Sequence, residues 1–439
     1  MMSFATFDHA TEIRFAHNGG PAERQGASTR LTLQLAWQAD LTPPTKQHRQ
    51  FVAKRCPAEF GQNAGTAERL AVVESCMARF NKGIAIDRNN LERLQNESEA
   101  YILENAGGMP PYVIDKYGTI NSQRLAEKLP NSVKADWPKD NNGLLLTDSG
   151  SLEQQGNAHS RALLAAKRQQ RDWALRNLPV DQDGRHRSYP NPYGTITGRE
   201  NPKGPSFARL SRNQRRVLVP DEDHVLATID FQQQEPAIAM CFARVDELLQ
   251  AYENGDFYCY VATQIPGDFC RKRAKQLVIA FLYGATPNTL TRKLDMTPAF
   301  AEECITALKR FFSVYRKWSN QYLQNAYRTC EVTSLDWRMT VHPGTRTATL
   351  RNWPIQAAGA DILRRACLKL AEADIPVVGC LHDSVMLEIP LAGYDLAIRR
   401  AQLLMADASA EVLDGFRLKS TVDNIDFPSG ITAGGFAHG

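Results

Sequence analysis

The sequence has few of the features that mark secreted or membrane-bound proteins. Its nine cysteines are an odd number and include no C-x-x-C pair, which argues against a disulfide framework or a structural zinc site. The longest apolar run, residues 277–283, is far shorter than the roughly 20 residues that a membrane-spanning helix needs. The first residues also lack the apolar core of a secretory signal. We therefore expect a soluble, cytoplasmic protein with reduced thiols and no membrane partner.

Neither sign of charge dominates the chain. Its 52 Lys and Arg residues against 48 Asp and Glu residues give a net charge of only +4, which says little about partners. The distribution is more informative, because residues 161–216 contain 13 basic and 4 acidic side chains, and a second basic cluster lies at 271–275. Two such patches favour a polyanionic partner, although solvated surface charge is the plain alternative.

The length and composition indicate a folded protein of two or three domains, with 439 residues of which 43% are hydrophobic. Residues 1–75 lack long periodic segments, which predicts an irregular extension or a small cap of unknown role. Helical periodicity runs from Thr66 to Leu94, and the pattern then predicts short helices over 119–157. One amphipathic helix is expected from Ser160 to Leu178, and residues 235–330 are mostly helical in pattern.

Two aspartates are predicted to meet at one edge of a sheet. The segment HVLATID at 224–230 is typical of a buried strand that ends at Asp230. PVVGC and SVMLEI predict a hairpin with His382 and Asp383 at its tip. Two carboxylates at one edge could share two divalent cations, Mg²⁺ or in its place Mn²⁺, that clamp both oxygens of a phosphoryl displacement. A turn residue or helix cap is the commoner role for an aspartate at a strand end.

A basic helix is predicted to begin after Asp268, which could cap it. Residues that recur every four positions share one stripe of a helix, and here they are Arg271, Lys275, Ile279 and Tyr283. This stripe could hold a triphosphate at one end and a base at the other. The alternative is an ordinary amphipathic helix with solvated cations and two core residues.

These segments resemble the motifs of the family A DNA polymerases, the family of bacterial DNA polymerase I. TIDFQQQEPAIA at 228–239 resembles motif A, RKRAKQLVIAFLYG at 271–284 resembles motif B, and GCLHDSVMLEIP at 379–390 resembles motif C. DGRHRSYPNPYGTITGR at 183–199 and NWPIQAAGADIL at 352–363 are similar to further family segments and occur in the same order.

The resemblance implies an α+β right-hand polymerase fold with an antiparallel-sheet palm, helical fingers and a helical thumb. The chain would then divide into an N-terminal extension at 1–75, a thumb and DNA-binding segment at 76–215, a palm segment with motif A at 216–244, fingers with motif B at 245–350, and a palm segment with motif C at 351–439. Because little chain precedes the thumb and no DxE signature is visible, we expect an enzyme without 3′–5′ proofreading.

The resemblance also implies roles for individual residues. Asp230 and Asp383 would bind two Mg²⁺ ions, with the backbone carbonyl of Phe231 as a neighbouring ligand. Lys275 would also be catalytic, as the proton donor to departing pyrophosphate. The dNTP-binding residues would be Phe231, Gln233, Glu235, Arg271, Lys275, Ile279 and Tyr283. The primer and template contacts would be Thr197, Arg199, Asn352, Gln356 and His382.

Several positions depart from the family pattern. Ile279 stands where many members have an aromatic residue, so sugar discrimination or fidelity is expected to differ. Ser384 replaces a glutamate that usually follows the motif C aspartate, and Ala348 replaces an arginine that contacts DNA. Glu235 is retained, and under the sugar it would leave no room for a 2′-hydroxyl.

Together these features predict a template-directed DNA polymerase that extends a primer 3′-hydroxyl. Its partners would be primer–template DNA, dNTPs and an accessory replication or repair protein, and we expect a monomer from a bacterial, phage or mobile-element context. A single-subunit RNA polymerase-like enzyme shares these elements but would not need Glu235. A two-metal nuclease would use the aspartates without the basic stripe, and a silent DNA-binding scaffold would not need both aspartates.

Overall fold

The computed structural model describes residues 65–105, 120–139, 143–294, 296–335 and 337–428. The expected N-terminal extension at 1–75 therefore lies almost entirely outside the described residues. The chain forms two compact units, one made of the residues up to Gly83 with Tyr189–Lys203 and the residues from Pro220 onward, the other of Ile84–Ser188 and Gly204–Val219. The division into thumb, palm and fingers stays a prediction.

The secondary structure mixes helices with antiparallel strands, as the expected α+β class requires. In chain order the elements are α1 (Gly65–Lys82), β1 (Ile84–Ile86), α2 (Arg88–Asn105), α3 (Ser122–Lys128), α4 (Asn131–Ala135), α5 (Ser149–Gln155), α6 (Ala158–Arg171), α7 (Trp173–Arg176), β2 (Arg185–His186), β3 (Leu218–Val219), β4 (His224–Phe231), α8 (Gln234–Ala243), α9 (Asp246–Asn254), α10 (Phe257–Ala262), α11 (Arg271–Leu282), α12 (Pro287–Leu294), α13 (Pro298–Phe311), α14 (Ser313–Thr329), β5 (Glu331–Ser334), β6 (Trp337–Thr340), α15 (Thr347–Glu372), β7 (Val377–Leu381), β8 (Ser384–Pro390), α16 (Tyr394–Val412) and β9 (Ser420–Asp426).

The smaller unit contains helices α2 to α7 and a three-stranded sheet of order β2-β1-β3. Its apolar core includes the fully buried side chains of Leu125, Leu152 and Leu163. Strand β1 interrupts the helical segment expected from Thr66 to Leu94, because α1 ends at Lys82 and the next residue, Gly83, has a positive φ of 62° that terminates the helix.

The single helix expected from Ser160 to Leu178 is wrong. Helix α6 ends at Arg171, and α7 begins only at Trp173. Between them Asp172 is 1% exposed, because its carboxylate accepts hydrogen bonds from side chains of three segments. Trp173, an apolar residue within that expected helix, is 45% exposed.

The larger unit contains a four-stranded antiparallel sheet of order β7-β8-β4-β9. Alternate residues of β4 point into the core, where Val225, Ala227 and Ile229 are fully buried, as period-2 alternation requires. The strand expected at HVLATID and the hairpin expected at motif C are both confirmed.

Helices complete the core of the larger unit on the sheet face that carries Val225, Ala227 and Ile229. Helix α15 continues for 26 residues through Pro354 and carries the fully buried Trp353. Helix α11 begins at Arg271 with Cys270 at its N-cap, so the expected cap at Asp268 is wrong. Cys270 provides no side-chain capping bond.

The structure bears on two expectations from composition, which concern membrane-spanning helices and the cysteines. Across the described ranges, no helix combines the length and apolarity needed to cross a bilayer. The eight cysteines in these ranges are free thiols, and Cys56 lies outside them.

Candidate active site

The two predicted aspartates lie at the same edge of the large sheet. Asp230 is the second-last residue of β4 and pairs with Ser384, the first residue of β8. Asp383 occupies the two-residue turn before β8, and its carbonyl accepts a hydrogen bond from the Phe231 N–H at 3.4 Å. His382 supplies the positive φ of 57° that this tight turn uses. The turn therefore brings the motif A and motif C aspartates together, as the sequence predicts.

The electrostatics of this edge favour a cation. Burial and the negative charges of Asp383 and Asp423 together raise the pKa of Asp230 to about 8, while Lys275 acts in the opposite direction. Two carboxylates that oppose each other's ionisation gain most from a shared positive ion.

The donor set suits a hard divalent cation. Within the described residues, no three or more His, Cys, Asp and Glu side chains form a group that could hold a metal. Two carboxylates lie at this edge, so the other ligands of a cation bound here would come from phosphate oxygens and water. Magnesium is bound in this way where its substrate carries phosphates.

A β-bulge contributes Asp423, which the sequence analysis missed. The β4–β9 register shifts between Thr228 and Ile229, which pair with Asn424 and Val422, so Asp423 is the extra residue. Its charge contributes to the raised pKa of Asp230. Alternating burial in β9 is weak, so the sequence carried no signal for this placement.

The cations of the basic helix lie beside this edge. Arg271 opens α11 and is 54% exposed, and its Nε–H donates to the Asp256 carboxylate at 2.6 Å. Lys275 lies one turn further along, close enough for its charge to act on Asp230. The Arg271 guanidinium and the Lys275 ammonium lie 5.7 and 5.9 Å from the ring centroid of Tyr258.

The turn after β4 is tied to the next helices rather than left open. Gln233 has a positive φ of 48°. Its amide donates to Asp256 at 3.2 Å and accepts from the Phe257 N–H at 2.8 Å. The Gln232 carbonyl accepts from the Tyr252 hydroxyl at 3.1 Å. Gln233, expected to bind dNTP, therefore has its side chain committed to the start of α10.

Glu235 lies in the first turn of α8 and contacts the other predicted residues around it. The Arg199 guanidinium is 3.6 Å from its carboxylate. Burial raises the pKa of Tyr283, and the adjacent Glu235 carboxylate raises it further, while the nearby Gln356 side chain acts in the opposite direction. The structure thus gathers Arg199, Glu235, Tyr283 and Gln356 into one polar cluster.

The segment that carries Arg199 is held by two tryptophans. The Ile196 carbonyl accepts from the indole N–H groups of Trp337 at 3.0 Å and Trp353 at 2.8 Å. Thr197 is buried and its hydroxyl bonds to Thr195 at 3.0 Å.

The remaining predicted contacts differ in exposure. His382 is exposed at the hairpin tip and Ile279 is half-buried on α11. The Oδ1 atom of Asn352 is buried with no hydrogen-bond partner in the described structure. An unpaired buried acceptor of this kind is typical of a position that awaits a ligand or water.

Comparison with known proteins places these features in a family. The model of "DNA polymerase family A" matches residues 116–421, more than half of the chain. The DNA polymerase of Mycobacterium phage D29 is 24% identical over 247 residues, covering 54% of this chain and 41% of that protein. DNA polymerase I of Aquifex aeolicus is 24% identical over 327 residues, covering 68% of this chain and 55% of that protein.

The chain thus spans about half the length of the curated relatives it matches. A solved structure, the "POL domain of Pol1 from M. smegmatis complex with DNA primer-template and dNTP", has a TM-score of 0.67 at 19% identity. It matches 96% of this chain and 78% of that one, which shows a shared polymerase-domain fold. With the family model matching most of the chain, this protein is a member of the family A DNA polymerases.

Proposed function

We propose that this protein is a template-directed DNA polymerase that adds deoxynucleotides to a primer 3′-hydroxyl. The observation that carries the proposal is the convergence of Asp230 and Asp383 at one sheet edge, with the Lys275 charge acting on Asp230. Family membership and the M. smegmatis complex with primer–template DNA and dNTP support this substrate class.

Family A DNA polymerases are metal-dependent in general. Here Asp230, Asp383 and the Phe231 carbonyl would hold two Mg²⁺ ions, or Mn²⁺ in their place. Bound there, the ions would lower the pKa of the primer hydroxyl and neutralise charge on the transferred phosphate. The raised pKa of Asp230 supports this assignment, because a half-buried carboxylate pair lacks sufficient positive charge of its own.

The chain's own residues would bind and orient the nucleotide. Arg271, half-exposed at the start of α11, would hold the triphosphate, with Lys275 one turn along. Lys275 would donate a proton to the departing pyrophosphate, and its position beside Asp230 supports this role. Ile279 follows on the same helix and Tyr283 lies at its C-cap, and both would lie along the base.

Glu235 would select the sugar. The Arg199 guanidinium lies 3.6 Å from its carboxylate, and this ion pair would favour the position that excludes a 2′-hydroxyl. Arg199, Asn352, Gln356 and His382 would contact the primer and template. Thr197 would support this contact from beneath, since its own side chain is buried.

Primer extension tests the proposal. A 5′-labelled primer on a longer template is incubated with Mg²⁺ and dNTPs, rNTPs or no nucleotide. The wild-type chain is expected to extend with dNTPs, and Asp383→Ala to lose at least about a hundredfold in rate. Glu235→Ala is expected to extend with rNTPs more readily than the wild type does.

The outcomes with dNTPs, with rNTPs and without nucleotide distinguish a DNA polymerase from the alternative functions. Efficient extension with rNTPs by the wild type would favour an RNA polymerase-like enzyme, and shortening without nucleotide would favour a nuclease. Binding of DNA without either reaction would favour a scaffold. If 3′ mismatches are removed even by Asp230→Ala, the expectation that this protein does not proofread is wrong.

A further inference from the structure

The first turn of α10 contacts both cations of the basic helix. Asp256 lies at the N-cap of α10 and accepts from the Cys259 N–H at 3.0 Å. The other carboxylate oxygen of Asp256 accepts from the Arg271 Nε–H at 2.6 Å. The same residue therefore caps one helix and forms an ion pair with the first residue of the next.

Tyr258, two residues later, presents its ring to both cations. The Arg271 and Lys275 charges lie 5.7 and 5.9 Å from its centroid, within the roughly 6 Å over which a cation is attracted to an aromatic face. The ring is only 2% exposed and packs edge-on against Phe257. A buried ring that cannot rotate freely gives the two flexible cations a fixed surface.

This turn is also bonded to the segment that carries the metal-binding aspartate. Gln233, three residues after Asp230, donates to Asp256 and accepts from the Phe257 N–H. A continuous set of contacts thus joins the end of β4 to the start of α11. The spacing between the carboxylates and the cations depends on this connection.

We propose that Tyr258 and Asp256 are positioning residues that hold Arg271 and Lys275 in place for the nucleotide triphosphate. The inference rests on the proposed function, since it assigns the two cations to the triphosphate. Tyr258 acts through its ring face and Asp256 through its charge, and neither needs to touch the nucleotide. Holding long basic side chains in advance reduces the conformational entropy lost when the nucleotide binds.

A purely structural reading would make Tyr258 a core residue and Asp256 a helix cap. Conservative variants separate the readings. Tyr258→Phe keeps the ring face and removes only the hydroxyl, whereas Tyr258→Leu keeps an apolar core residue and removes the ring. Asp256→Asn keeps a side chain that can cap α10 but removes the charge that Arg271 meets.

The experiment measures dATP affinity in two ways. Calorimetric titration with dATP and Mg²⁺, without primer, reports binding independently of catalysis. Single-turnover extension opposite a template thymine reports the apparent Kd for dATP and the maximal rate. Thermal unfolding of each variant confirms that it is folded at the assay temperature.

Tyr258→Leu is expected to weaken dATP binding about tenfold with a smaller change in maximal rate. Tyr258→Phe should bind like the wild type, and Asp256→Asn should bind several-fold more weakly. In a double-mutant cycle, Tyr258→Leu should weaken dATP binding by a smaller factor when Arg271→Ala is already present, because one of the cations that the ring contacts is then absent.

Three results would overturn the inference: equal loss of affinity in Tyr258→Phe and Tyr258→Leu, additive effects of Tyr258→Leu and Arg271→Ala, or unchanged dATP affinity in Tyr258→Leu. Failure of the proposed function can be distinguished from failure of this inference. A wild-type chain that binds dATP but does not extend primers contradicts polymerase activity, while the affinities of the variants still decide the role of Tyr258. A wild-type chain that binds no dATP contradicts both.

Discussion

At the scale of single residues, the candidate site lowers the stability of the folded protein. Asp230 lies half-buried beside Asp383, and both burial and the neighbouring negative charge make its ionised form unfavourable. An ordinary strand-end aspartate would be solvated or would cap a helix. Side chains that are arranged against stability in this way are typical of functional sites.

The raised pKa predicts how stability depends on pH in the absence of divalent cations. Folded Asp230 holds its proton up to a pKa of about 8, whereas the ordinary value is 3.8. Because the folded state binds the proton more tightly, the contribution of Asp230 is fully present below pH 3.8 and is lost as the pH rises through about 8. Asp230→Asn should therefore be more stable than the wild type at pH 8 to 9.

Urea unfolding at several pH values in EDTA checks this prediction. The advantage of Asp230→Asn should shrink as the pH falls towards 4 and should also shrink when Mg²⁺ is added to the wild type. Glu222→Gln, a change at an exposed acid, serves as the control. A stability difference between Asp230→Asn and the wild type that does not vary with pH would contradict the account.

At the scale of elements, one buried carboxylate joins three segments of the smaller unit. Asp172 accepts from Ser98 of α2 at 2.8 Å, from Arg168 of α6 at 3.1 Å and from Gln214 at 2.8 Å. Gln214 begins a 3₁₀ turn at Gln214–Val217. Although burial acts to raise it, the pKa of Asp172 is lowered, because hydrogen bonds from Arg171, Ser98 and Gln214 favour the charged form.

Removal of this carboxylate should destabilise the smaller unit. Asp172→Ala leaves the buried Ser98 and Gln214 side chains without their acceptor and two arginines without a counter-charge. We expect a loss of about 3 kcal/mol in the free energy of unfolding. Denaturant unfolding followed by circular dichroism measures it.

The matched control is Asp181→Ala, which breaks an ion pair at 2.7 Å whose carboxylate is half-exposed. Its effect should stay below about 1 kcal/mol. Similar losses in the two variants would contradict a special contribution of the buried Asp172 carboxylate to stability. Because its pKa is lowered, the contribution of Asp172 is present near neutral pH and disappears as the pH falls below the ordinary value of 3.8.

At the scale of the whole molecule, a nearly neutral chain carries its basic charge unevenly. Residues 161–216 carry more basic than acidic side chains. Some of their arginines form ion pairs, as Arg187 does with Asp181 and Asp183. Arg212 and Arg216 are exposed. Such a distribution favours contact with phosphates, which position a duplex without reading its sequence.

DNA binding should therefore depend strongly on salt and weakly on sequence. Fluorescence anisotropy with a labelled primer–template should show affinity falling at least about tenfold between 50 and 200 mM salt. Arg212→Ala and Arg216→Ala should each reduce the slope of log K against log salt by about 1. Unchanged slopes, or strong preference among duplex sequences, would contradict the assignment of this segment to phosphate contact.

The sequence by itself determined the parts of the site that depend on local pattern. The β-branched run that ends at Asp230, the hairpin around Asp383 and the four-residue spacing from Arg271 each follow from residues adjacent along the chain. Family motifs added the order of these segments. Local periodicity was less reliable at helix ends, where the cap at Cys270 and the break at Asp172 depend on packing.

Only the tertiary structure decided which distant side chains meet. The contacts of Tyr258 with two cations, the bond from Gln233 to Asp256 and the bulge at Asp423 join residues that show no shared period along the chain. Their placement depends on strand register and helix packing, which non-local contacts establish when the core forms. The raised pKa of Asp230 has the same origin, because burial and a neighbouring charge are properties of the folded chain.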